Sequence, residues 1–175
     1  MATHRIPIFG FGTLPDNSGK VWSESYDVLA TNDVWDRLIW RFDEDGNNNA
    51  QLSTRVGIKG GFTVPKNYVG TAKIIVVWTS TVTTGDIEFD FDYRAVGGDD
   101  TESLDQAGTQ ESVNLNDTAP SAAHERMEVA LALTSANLAV DDEVLFELFM
   151  DGTDAGDTLA GARLVFAVLF EYADA

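Results

Sequence analysis

Cysteine is absent from this chain of 175 residues. That excludes disulfides, thiol catalysis and thiolate metal sites. Histidine occurs only as His4 and His124, too few for a metal centre built on several imidazoles. His124-Glu125 opens like a zinc deaminase motif, but that motif also needs cysteines. There is no Gly-x-Ser-x-Gly elbow, and Gly57, Gly60 and Gly61 do not follow a phosphate-loop spacing. Positive charge is scarce. Eleven Lys+Arg stand against 29 Asp+Glu, a net charge of -18 and a pI near 4.1. A folded chain of this mass exposes on the order of 8,400 Å², so one net negative charge sits on every ~470 Å². Nucleic acid and anionic membranes are therefore poor partners, because both are bound through Lys and Arg. Long apolar runs are missing too. The longest uncharged one covers residues 164–170, far short of the ~20 residues a membrane-spanning helix needs. The opening MATHRIPIFGFGTLPDNSG has no apolar stretch of signal-peptide type. The expectation is one soluble domain, cytoplasmic or released without a signal peptide.

What is present is an alternating pattern. Ile87, Phe89, Phe91 and Tyr93 interleave with Asp86, Glu88, Asp90 and Asp92. A strand sorts these onto two faces, whereas a helix would scatter them. Similar alternation runs through residues 37–42, 127–134, 144–150 and 164–172, and residues 73–79 form a continuous β-branched run. Residues 52–58 and 111–116 are shorter candidates, the latter an edge strand inside the polar stretch 97–121. About eight strands with regular turn signals and no long helix predict an all-β fold. The expected architecture is an antiparallel jelly-roll β-sandwich over residues 22–175. Apolar residues on second faces (Leu145, Phe149, Val165, Ala167, Leu169) suggest that a neighbouring copy covers part of it.

Residues 1–21 read differently. Pro7, Gly10, Gly12, Pro15 and Gly19 are too frequent for a helix or an interior strand. Ile6, Ile8, Phe9, Phe11 and Leu14 are nonetheless apolar. The segment is expected to be an extended N-terminal arm that docks through those five residues, on its own domain or on a neighbouring subunit.

Three constellations invite a chemical reading. Glu88, Asp90 and Asp92 project from one strand face, and Glu88 with Asp92 is a candidate glycosidase pair. Family-16-type glucanases carry Glu-x-Asp-x-Glu on a strand, but here the last position is one methylene shorter. The ordinary alternative is a solvated sheet face. Residues 43–47 fail as an EF-hand loop, because the first and twelfth positions would be Arg41 and Leu52. Asp151, Asp154 and Asp157 on a Gly-containing loop are the better metal candidates of the two loops, but a plain turn is the stronger reading and no metal is expected. Trp22 and Trp35 are the tryptophans freest to form a glycan platform, since Trp40 and Trp78 sit in apolar patterns. No cofactor is expected.

The segments DIEFDFDYRAVGGDD (86–100), ESLDQAGTQESV (102–113) and NLAVDDEVLFELFMDGTDAGDTLAGARL (137–164) resemble small jelly-roll proteins of tailed-phage virions. The shared feature is D-x-V-x-F-x-L-x-x-D-G-x-D-x-x-D-T-L, which runs from Asp142 to Leu159. The leading GFGTLPDNSGKVW resembles the arm of such proteins. The resemblance implies a structural virion protein, assembled in a host cytoplasm, that decorates a capsid as a homo-oligomer, a trimer above all. Its partner would be the major capsid protein or another virion protein. It implies no catalytic residues. The rival readings are a carbohydrate- or receptor-binding module of a phage tail or fibre and, third, a glycoside hydrolase.

Overall fold

The computed structural model describes residues 1–13, 21–26, 37–44, 52–97 and 110–174. Ten strands lie among them. These are β1 (Thr3–Thr13), β2 (Val21–Tyr26), β3 (Arg37–Phe42), β4 (Arg55–Thr63) and β5 (Tyr68–Ser80), followed by β6 (Asp86–Val96), β7 (Glu111–Thr118), β8 (Met127–Ala132), β9 (Glu143–Asp151) and β10 (Arg163–Asp174). All their pairings are antiparallel. The eight strands expected correspond to β3 through β10, although β4 begins and ends later than the candidate at 52–58, and β7 lies at a sheet edge as expected.

The pairing is nested. β1 pairs with β10, β4 with β9, β5 with β8, and β6 with β7. Two further pairings, β5 with β10 and β6 with β9, join these couples into two sheets. One sheet runs β8-β5-β10-β1 and the other β7-β6-β9-β4. A long antiparallel ribbon rolled up on itself gives this order, which is the jelly roll. β2 and β3 pair with each other, and β3 extends the first sheet along the start of β10.

The core lies between the two sheets. Phe89, Phe91 and Tyr93 of β6 meet Phe146, Leu148 and Met150 of β9 on one side, and Ile74, Val76 and Trp78 of β5 on the other. Aromatic contacts tie the sheets together. Phe62 of β4 lies 4.7 Å from Phe170 of β10, and Trp78 of β5 meets Phe89 of β6 edge-on at 5.6 Å. Trp78 Nε1 donates to Asp117 Oδ2 on β7 at 2.8 Å, so the buried indole keeps its hydrogen bond. Trp78 thus belongs to the core, as its apolar surroundings in sequence implied.

The N-terminal segment corrects the expectation of an arm. Residues 3–8 pair with β10, and residues 9–13 pair with β4 in the other sheet. β1 therefore passes from one sheet to the other. Its glycines and proline fall where this needs them. Pro7 lies just before the change of partner, Gly10 faces Gly60 across the pairing, and the register shifts between Gly10 and Gly12. A proline and a bulge are tolerated where a strand bends and changes partner, and two facing glycines let the backbones approach. The jelly roll thus begins at β1 rather than at residue 22.

Of the second-face apolar residues, Phe149 and Val165 are covered within the chain, and Ala167 and Leu169 are half-buried. A register shift between Val165 and Ala167 turns Val165 into the core. Leu164 and Phe166 pack with Ile39 and Ala162 in a separate small cluster. Leu145 remains exposed.

Candidate functional site

The outer face of the second sheet carries most of the chemistry read from the sequence. On β6 the core takes Ile87, Phe89, Phe91 and Tyr93, so Glu88, Asp90 and Asp92 point outward. Register then assembles rows across four strands. Gly57, Phe149, Asp90 and Asn114 form one row. Lys59, Glu147, Asp92 and Ser112 form the next. Glu88 stands opposite Asn116.

Arg55, at the start of β4, organises this face. Its guanidinium lies 3.4 Å from the centre of the Phe149 ring and reaches over β9 to β6. There Nη2 meets Asp90 Oδ2 at 3.2 Å and Asp92 Oδ2 at 3.1 Å, while Nε approaches Asp151 Oδ2 at 3.7 Å. Stacking on an aromatic face suits a guanidinium better than an ammonium. Phe149 is accordingly only 7% exposed although it faces outward. Burial raises the Asp90 carboxyl above its ordinary range, and Arg55 works against that rise.

Glu88 is the outlier of the group. It is 5% exposed, and its Oε2 is buried without a hydrogen-bond partner. Burial, followed by the negative charges of Asp154, Asp90, Asp151 and Asp157, pushes its carboxyl up to about 7. Its backbone N–H donates to Asp157 Oδ2 at 3.4 Å. The loop after β9 closes this end of the face. Thr158 and Leu159 N–H groups both donate to the Asp86 carbonyl, pinning the loop to the start of β6. The loop passes close to β7 as well. A side chain at Gly156 would place its Cβ 2.2 Å from Asn116 Nδ2.

The loop that carries the metal candidates Asp151, Asp154 and Asp157 is held by other contacts. Asp157 is fully buried in an ion pair with Arg163 on β10. Asp151 Oδ1 accepts from the N–H and hydroxyl of Thr153, and its Oδ2 faces Arg55. Asp154 Oδ1 accepts from Gly156 N–H at 2.6 Å. The three carboxylates point to different partners, and no group of acidic or imidazole ligands suited to a metal occurs among the described residues. The loop is a turn held by its own hydrogen bonds.

The glycosidase pair reads differently in three dimensions. Glu88 and Asp92 share a face, as alternation implied. Asp92, however, is committed to Arg55, and Glu88 is buried with no partner on its Oε2.

The docking residues are placed as follows. Ile8 is 4% exposed in the core and Ile6 packs against it, so these two are docked on the chain's own domain and not on a neighbouring subunit. Phe9 and Phe11 lie on β1 beyond the change of partner, and Phe9 is in register with Gly61. Leu14 lies outside the described residues. Trp22 lies on β2 in register with Arg41, in the first sheet, away from the acidic rows. Trp35 lies outside the described residues. Sequence reasoning missed Arg55 and Phe149 as partners. The only sequence signal was Phe149 on the outward-facing side of an alternating strand.

No family model and no curated protein matches the chain. Among solved structures, a family 30 carbohydrate-binding module superposes with a TM-score of 0.49 at 11% identity, covering all of both chains. The CBM22-1 xylan-binding domain of Paenibacillus barcinonensis Xyn10C gives 0.47 at 12% identity, over 95% of this chain and 87% of the other. The α-L-arabinofuranosidase MgGH51 gives 0.48 at 14% identity, and this chain spans 23% of that enzyme's length.

Proposed function

We propose that the protein is a binding module that holds a glycan on the outer face of its second sheet without turning it over. The observation that carries this reading is the pairing of carboxylates with small polar side chains across β6 and β7. Asp92 stands beside Ser112, Asp90 beside Asn114, and Glu88 beside Asn116. Sugar hydroxyls donate and accept hydrogen bonds together, and a carboxylate next to an amide meets both needs. Ser112, Asn114 and Asn116 are exposed at the sheet edge, where an extended ligand has access. Asp90 and Asp92 are set in place by Arg55 before any ligand arrives, which lowers the ordering cost of binding.

The test is a glycan array followed by calorimetry on the strongest binder. The double variant Asn114→Ala/Asn116→Ala removes two exposed amides at little cost in stability, and should weaken binding at least tenfold, the equivalent of ~1.4 kcal/mol. Absence of any glycan ligand, or undiminished binding by this variant, overturns the proposal.

A further inference from the structure

The geometry points to a cationic amino sugar as the glycan class that this site prefers, its ammonium group lodged against Glu88 between β6 and the loop after β9. This rests on the glycan-binding reading and adds the chemistry of the ligand. Two independent observations support it. The first is the balance of charge. Glu88, Asp90, Asp151, Asp154 and Asp157 gather at one end of the face. Arg55 answers Asp90 and Asp151, and Arg163 answers Asp157. Among the described residues, no ion pair answers Glu88 or Asp154. The second is the buried Oε2 of Glu88, an acceptor with no donor. A buried carboxylate without a partner costs several kcal/mol, and native proteins rarely leave one unless something fills the place.

A neutral hydroxyl would satisfy one lone pair there. An ammonium group brings three donors and a positive charge into a place where the local charge is negative, and so gains more. An acidic sugar is excluded by the same field. Asn116, opposite Glu88 and packed closely against Gly156, bounds the site on the β7 side. Because burial and the neighbouring carboxylates favour the protonated acid, an arriving cation displaces a proton from Glu88 near neutral pH.

The experiment is calorimetry at pH 6 and low salt with the tetramer of glucosamine and the tetramer of N-acetylglucosamine, on the full chain. The expected result is at least tenfold tighter binding of the free amine, with a proton released on binding. Proton release is read from the change in apparent heat between two buffers of different ionisation enthalpy. Glu88→Gln should remove both the preference and the proton release. Glu128→Gln, which makes the same charge change on the other sheet, should alter neither. Equal losses in the two variants would reduce the preference to general attraction by an acidic protein and overturn the inference. So would equal binding of the two tetramers, which leaves the glycan reading intact. Failure to bind any glycan would overturn both.

Discussion

Replacing Glu88 by glutamine should stabilise the protein at pH 8 and leave it almost unchanged at pH 4.5. Glutamine keeps the length and shape of the side chain and cannot ionise. In the unfolded chain the Glu88 carboxyl has its ordinary value of 4.5, and in the folded protein burial and the surrounding carboxylates push it up to about 7. The folded state therefore holds this proton more tightly than the unfolded one. Below pH ~4.5 both states are protonated and Glu88 contributes nothing. Between pH ~4.5 and ~7 the unfolded state loses its proton first, so stability falls as pH rises. Above pH ~7 both are ionised and the full penalty applies. A difference of this size corresponds to about 3 kcal/mol, at 1.36 kcal/mol for each pH unit. For a domain of this length it amounts to roughly 6–12 °C in Tm.

Urea denaturation of the wild type and of Glu88→Gln at pH 4.5, 5.5, 6.5 and 8 measures this directly. The other carboxylates titrate alike in both proteins and cancel in the difference. The difference should open steadily with pH and level off above pH 7. A difference that stays flat with pH would refute the reasoning, as would a carboxyl carbon resonance of Glu88 that titrates near 4.5.

Asp157→Asn leaves the Arg163 guanidinium buried without the carboxylate it pairs with, in a place where burial already lowers its affinity for a proton, so denaturation should show a loss of ~3–5 kcal/mol. The double variant with Asp157→Leu and Arg163→Met removes both charges and should recover most of that loss in the same assay. Ile8→Ala opens a cavity in the core and should cost ~2–5 kcal/mol by denaturation. Deleting residues 1–13 strips the partner from edges of β10 and β4 at once, and should abolish cooperative unfolding in calorimetry. A truncated protein that still melts sharply would restore the picture of a detachable arm.

Eight of the ten strands were legible, five because alternation states directly which residues face inward, β5 from its β-branched run, and β4 and β7 as shorter candidates. The row of Ile87, Phe89, Phe91 and Tyr93 sits in the core where its spacing places it. β1 was not legible, for a physical reason. Pro7, Gly10 and Gly12 weaken a strand that lies in one sheet, and they serve one that bends between two. Local sequence carries no mark of the change in partner, which depends on β10 and β4 arriving from far along the chain. The spacing of carboxylates in the loop after β9 misleads for a related reason. Asp151, Asp154 and Asp157 have metal-like spacing, but Arg163 and Arg55 take two of them from other strands.

The acidic face shows most clearly what alternation leaves out. On the sequence alone Glu88, Asp90 and Asp92 are equivalent residues of one solvated row. Register makes them unequal. Arg55 enters over Phe149 and holds Asp90 and Asp92, and its reach ends before Glu88. The loop after β9 then covers Glu88 and brings further negative charge towards it. A face serving only for solubility would gain nothing by burying one of its carboxylates beside four others, since an exposed carboxylate keeps a protein soluble at no such cost. The burial of Glu88 is the feature that the proposed ligand accounts for. That is why the position most ordinary in the sequence becomes the one on which the functional reading turns.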